Sequence, residues 1–159
     1  LTPLTVREKK LLADLHLQLG IPVKAAPLYE SALKEKIEDR SVQNLVLALR
    51  QIGKHEEALE QLDRFAKNAK NPVLAMLRAD LLYELERFHE ASDAYMQTAK
   101  LDKGKAGRAW LMAGYAAMQA EDITASRQAF ERAAKYEDQR KAAMLAMRRL
   151  PANKEEHYR

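Results

Sequence analysis

Four histidines, His16, His55, His89 and His157, are the first residues to weigh for chemistry, because imidazole binds metals and moves protons near neutral pH. A zinc site on a helix needs a His pair at i, i+4 or a local cluster, and neither occurs. The stretch HEEAL at 55–59 opens like an H-E-x-x-H motif, but Leu59 stands where the second histidine belongs. His55 and His89 read as solvent-facing residues of matching turns, and His16 as a partly buried packing residue. The 159 residues include no cysteine, which excludes disulfides, thiolate catalysis and Cys-ligated zinc. Neither a G-x-S-x-G elbow nor a Walker-type G-x-x-x-x-G-K is present. GKAGRAW at 104–110 is a glycine-containing loop that could hold an anion at the next helix N-terminus; a plain turn is the simpler reading. Carboxylates are plentiful, but none sits in an apolar setting that would raise its pKa. The expectation is a chain that is not an enzyme and uses no cofactor or metal.

One cluster remains. AWLMAGYAAMQAED at 109–122 holds the only tryptophan and two of the six methionines. Whether it is a binding surface or a core depends on the element that carries it. The chain is 47% hydrophobic and 31% charged, which suits a globular or repeat domain. No apolar run approaches the ~20 residues of a membrane span. The net charge of +4 comes from 27 cations interspersed with 23 anions, a solvated mixed-charge surface rather than a nucleic-acid footprint. Gly and Pro number five each, while Ala, Leu, Lys, Glu and Gln, the strong helix formers, dominate. No segment alternates apolar and polar residues over strand length, so the chain is all-α.

The helices repeat. AAPLYESAL (25–33), ALEQLDRFA (58–66), ASDAYMQTA (91–99) and SRQAFERAA (126–134) share one pattern. Each opens on a small residue (Ala25, Ala58, Ala91, Ser126), with a bulky apolar one four positions on (Tyr29, Leu62, Tyr95, Phe130). Steps of four and then three stay on one helix face. Ahead of each lies a second helical pattern that ends in a turn: LGIP (19–22), IGKH (52–55), LERFH (85–89) or AEDI (120–123). Gly20 and Gly53 suit helix C-termini. The unit is helix–turn–helix, repeated at about 6–38, 39–71, 72–106 and 107–140, with a ninth, capping helix at about 138–149 and a frayed tail at 151–159. Pro27 falls inside the second helix, which is therefore expected to start near Val23 or Lys24, or to kink.

These repeats resemble the tetratricopeptide repeat (TPR) family, whose motif runs W-x2-L-G-x2-Y, then A-x3-F-x2-A, then P. The last repeat matches best, with Trp110, Ala113, Gly114 and Ala117 followed by Ser126, Phe130 and Ala133. The third offers Ala75, Arg78, Ala79 and Leu82, the second Val42, Leu45, Val46 and Leu49, and the first Leu12, Ala13 and His16. Val46 exceeds the usual small residue, Arg78 replaces a leucine, and the terminal proline is missing. The resemblance covers roughly 6–140. It implies one domain over 1–150, a TPR-type α-solenoid curling into a right-handed superhelix, with first helices lining a concave groove.

The same resemblance sorts the first-helix residues. Trp110, Ala113, Gly114 and Ala117 fall on the inward face, so the tryptophan is read as structural. The groove-facing set is Arg7, Lys10, Asp14 and Leu17; Arg40, Gln43, Asn44, Leu47 and Arg50; Val73, Met76, Leu77, Asp80 and Tyr83; and Arg108, Leu111, Met112, Tyr115 and Met118. Leu145 and Arg149 of the capping helix join it. Leu111 and Tyr115 are equally compatible with packing on the capping helix. The first half of the set is cationic and the second half rich in Met and Tyr, adaptable contact residues. A protein or peptide partner with acidic and apolar residues follows, with no nucleic acid and no membrane insertion. Some TPR domains clamp a C-terminal carboxylate with Lys and Asn; here Lys10 is present, but Asp14 stands where that pattern has Asn, which argues against such a clamp. The alternative is a structural or self-associating module of a larger, for instance envelope, complex. The start at Leu1 suggests a cropped or processed chain and, with the missing cysteines, tilts the expected setting toward the periplasm of a bacterium over its cytoplasm.

Overall fold

The computed structural model describes residues 2–66 and 70–152. His157 and the expected frayed tail beyond Ala152 lie outside them. The described residues form helices and turns, with no strand among them. In chain order the helices are α1 (Val6–Gln18), α2 (Pro22–Glu35), α3 (Asp39–Gln51), α4 (His55–Ala66), α5 (Pro72–Glu84), α6 (Phe88–Leu101), α7 (Gly107–Gln119), α8 (Ile123–Ala133) and α9 (Glu137–Arg149), with a short 3-10 turn at Lys103–Lys105. The helix pairs fall within the four repeat spans read from the sequence, and α9 starts one residue earlier than expected.

Local chemistry sets the helix ends. Thr5 and Glu8 form a capping box on α1: the Glu8 N–H donates to Thr5 Oγ1 at 3.3 Å, and the Thr5 N–H donates to Glu8 Oε2 at 2.8 Å. These bonds hold the Glu8 carboxyl below its usual pKa. Asn71 and Asp122 cap α5 and α8 through their side-chain oxygens. At the other end, Gly20 and Gly53 adopt φ of 70° and 76°, and Glu86 and Glu121 take φ of 58° and 61° at the matching positions. The backbone closes the same way each time: Gly20 donates to Leu17, Gly53 to Arg50, Glu86 to Tyr83 and Glu121 to Met118. Where Ile21, Lys54 and Asp122 then donate to His16, Leu49 and Ala117, the bonds complete Schellman motifs. His55 and His89 lie in the first turns of α4 and α6 rather than in the connecting turns, and His55 is half-buried.

Pro27 departs from expectation. α2 starts at Pro22, a favoured first-turn position, and runs through Pro27 in its second turn. Pro27 is exposed, and so is Val23, whose carbonyl loses its intrahelical donor there. Water can satisfy that carbonyl, which is how the helix tolerates the proline.

The chain divides into two compact units, Leu1–Glu86 and Arg87–Arg159, each described by itself. The division falls in the turn of the third repeat. In the first unit, α1 packs on α2 and α3, and α3 packs on α2, α4 and α5. Tyr29, Leu33, Val42, Leu45, Leu49 and Leu62 are fully buried here, and Ala13, Ala25, Ala32 and Ala58 let the helix backbones approach. Val46 is accommodated with no exposure at all. Arg78, the substitute for leucine, donates from Nε to Asp63 Oδ1 of α4 at 2.7 Å. In the second unit, α7 packs between α6 and α8 and also touches α9. Gly114 is required by contact: a Cβ there would lie 2.4 Å from the Phe130 ring. Ser126 and Ser92, buried small residues of α8 and α6, donate to the carbonyls of Gly114 (2.8 Å) and Ala113 (3.3 Å) of α7.

Candidate functional site

The residues expected to face a groove are spread over the first helices of both units. In the first unit, α1, α3 and α5 carry Arg7, Lys10, Arg40, Asn44, Arg50, Met76, Asp80 and Tyr83. Much of this polarity is turned inward as bracing. Lys10 Nζ lies 2.6 Å from Glu38 Oε2, and Lys36 lies 3.1 Å from the other oxygen, so the two ammonium groups hold the Glu38 carboxyl below its usual pKa. Arg50 engages Glu84 of α5 in a two-pronged pair, with its Nε 3.2 Å from Oε2, and His55 lies at the edge of that pair. Between α1 and α3, the Tyr29 hydroxyl donates to Asp14, and Asn44 Nδ2 lies 3.3 Å from Asp14 Oδ1 and 3.2 Å from the Tyr29 oxygen. Burial and the adjacent Asp14 raise the Tyr29 pKa well above the ordinary phenol value. Asp14, which argued against a carboxylate clamp, is thus a structural acceptor.

What this face still offers is narrower than the sequence suggested. Arg7 and Arg40 are exposed and make no ion pair among the described residues. Met76, Asp80, Tyr83, Gln43 and Leu47 are half-buried and Val73 is exposed, whereas Leu77, read as groove-facing, is a core residue at 9% exposure. Sequence reasoning took Tyr29 for a packing residue only. The signal for more was its neighbours: a buried phenol needs a partner, and Asp14 and Asn44 sit one repeat-helix away on either side.

In the second unit, α7 carries Leu111, Met112, Tyr115 and Met118, all half-buried, and exposed Arg108. Tyr115 sits between the two readings given to it. Its ring meets Phe130 edge-on, with centroids 5.1 Å apart and planes at 75°, yet part of it stays accessible. Trp110 is a packing residue as expected, 8% exposed, with the Arg132 guanidinium 4.6 Å above its ring. On α9, Leu145 and Arg149 are exposed. Gly107 of the GKAGRAW loop is small because Tyr136 lies over it; a Cβ would meet the Tyr136 Cβ at 2.8 Å. Among the described residues no group of three or more His, Asp or Glu is placed to hold a metal, and no helix is long and apolar enough to cross a membrane.

First helices of 13 residues each, small residues at fixed positions and a left-handed closure after each first helix define a helical-repeat protein. The tetratricopeptide repeat family model matches residues 44–100 and 76–143, well over half the sequence, and the chain belongs to the tetratricopeptide repeat family. No curated protein matches it. Solved structures share the fold at low identity. A MamA fragment from Desulfovibrio magneticus has 17% identity and a TM-score of 0.71, the match covering 90% of this chain and 91% of that one. YrrB, described as a TPR protein with an unusual peptide-binding site, has 16% identity and a TM-score of 0.75, covering 91% and 75%. A tetratricopeptide repeat protein from Parabacteroides merdae has 20% identity and a TM-score of 0.76; the match covers 89% of this chain but only 57% of that one. In class, the chain is an all-α protein–protein interaction scaffold.

Proposed function

We propose that the chain is a non-catalytic scaffold that holds a peptide or protein segment on its first-helix faces. The observation that carries this reading is the half-exposed cluster Leu111, Met112, Tyr115 and Met118 on α7, where deformable side chains stay partly open beside a packed core. Arg7 and Arg40, exposed and without an ion pair among the described residues, favour acidic residues in the segment, while Lys10 and Arg50 already serve their own carboxylates. The peptide-binding site ascribed to YrrB is a precedent on the same fold. Selection of a random peptide library on the immobilised protein tests it. The expected sequences are rich in acidic and apolar residues. Their binding should fall at least about tenfold in Met112→Ser/Met118→Ser, the loss of roughly one buried apolar anchor. Selected peptides that bind the variant equally well would remove α7 from the site. Methionines are the better probes because Tyr115 also supports Phe130.

A second reading, a self-associating module, is favoured by Leu11 and Leu15 of α1 and Leu19 at its C-cap. They are 59%, 49% and 63% exposed and spaced four apart on one stripe. Sedimentation over a concentration series distinguishes it: association abolished by Leu11→Glu/Leu15→Glu supports this reading, and a monomer throughout rejects it.

A further inference from the structure

The second unit holds a cavity of about 420 Å³. Lys100 of α6, Lys103 of the 3-10 turn, Arg132 of α8 and Lys135 beyond it line this cavity, with Trp110 and Tyr136. No carboxylate is among its lining residues, and none of the four cations enters an ion pair among the described residues. A smaller cavity of about 120 Å³ adjoins it, sharing Lys100, Trp110 and Arg132 and adding the apolar side chains of Met96, Ala125 and Ala129. Several cations elsewhere are met by anions: Lys9 by Glu35, Lys10 by Glu38, Arg50 by Glu84, Arg78 by Asp63. Four like charges gathered at one concavity repel one another, and no acidic side chain is among the lining residues to offset that repulsion. The walls are braced: the Tyr136 hydroxyl donates to the Lys103 carbonyl at 2.7 Å, and the Arg132 guanidinium carbon lies 4.6 Å over the indole. A guanidinium held by its face keeps its N–H edge for a planar anion.

We propose that this cavity is a second binding site that takes an acidic protein segment, its carboxylates among Lys100, Lys103, Arg132 and Lys135 and an apolar side chain in the adjoining slot beside Met96. The combination decides the ligand class. A cationic patch alone would suit any polyanion, but an apolar slot opening from it suits a chain in which acidic and aliphatic side chains alternate. The site is separate from the first-helix faces and does not rest on the function proposed for them.

Trp110 is the only tryptophan and lines both cavities, so the protein's tryptophan fluorescence comes from their shared wall. The full chain is titrated with a short synthetic peptide of glutamates and leucines, a twin with glutamines for the glutamates, inorganic phosphate, and a single-stranded oligonucleotide. The expected result is a saturable change with the acidic peptide that weakens as salt rises and is absent with the glutamine twin. Lys103→Gln/Lys135→Gln, at two exposed positions, should lower the affinity about tenfold, the scale of losing charge-assisted contacts. Lys24→Gln/Lys34→Gln, the same change of charge at two exposed positions of α2, should leave it unchanged. No response to the peptide, an equal response to the glutamine twin, tighter binding of phosphate or the oligonucleotide, or indifference to the lysine substitutions would each overturn the proposal.

Discussion

Tyr29 shows how a single side chain takes part in both packing and the candidate site. Its ring is buried in the first unit, and its hydroxyl sits where α1, α2 and α3 meet, on Asp14 and beside Asn44. Removing that hydroxyl in Tyr29→Phe should cost about 1 kcal/mol of stability, since Asp14 and Asn44 keep partial access to water. The pH dependence has a definite sign. The folded-state pKa is raised above the ordinary 10.0, so the neutral phenol is favoured by folding. Its stabilisation is complete below about pH 10 and is lost as pH rises through the higher folded value. Urea unfolding between about pH 8 and pH 11 should therefore show wild type losing stability at the alkaline end through a component that Tyr29→Phe lacks. At this scale the sequence disclosed the packing positions well: Trp110, Gly114, Phe130 and Ala133 are buried where the motif places them. It could not disclose which polar residues brace one another. Lys10, Arg50 and Glu84 look like open surface charges until α1, α3 and α5 are laid side by side.

At the scale of the element, four repeats solve one geometric problem with two residue types. Each first helix ends on a left-handed residue, Gly20, Gly53, Glu86 or Glu121. A glutamate there carries a cost of roughly 1–2 kcal/mol that glycine avoids, partly offset by the greater freedom glycine loses on folding. Glu86→Gly and Glu121→Gly should therefore raise the melting temperature, each by up to about 1 kcal/mol of stability. Gly20→Ala and Gly53→Ala should each lower stability by about 1 kcal/mol. Nothing lies within 4 Å of a Cβ built at Gly20 or Gly53, so that loss would be conformational, not steric. Thermal melts of the four variants check the pattern; destabilisation by Glu86→Gly and Glu121→Gly would contradict it. Helix number, order and spacing were legible because the apolar period and the small residues recur about every 34 residues. The start of α2 was less so. Its proline was read as a boundary, but exposure of Pro27 removed the penalty that would have made it one.

For the molecule as a whole, the sequence points to one continuous repeat domain, while the contacts divide the chain into two units at the turn of the third repeat. Each unit presents its own candidate face. One keeps Arg7 and Arg40 open on α1 and α3; the other keeps Met112 and Met118 partly open on α7. The cationic cavity around Trp110 escaped the sequence because Lys100, Lys103, Arg132 and Lys135 come from segments some thirty positions apart and meet only when α6 and α8 flank α7. The central claim is that a peptide segment is held on the first-helix faces. The most direct test uses the methionine methyl groups as reporters, in NMR titrations with a peptide selected on the protein. The account predicts that the Met112 and Met118 signals shift and saturate together, while Met144 and Met147 of α9 stay in place. Saturable binding that leaves both α7 methyls unmoved would contradict it.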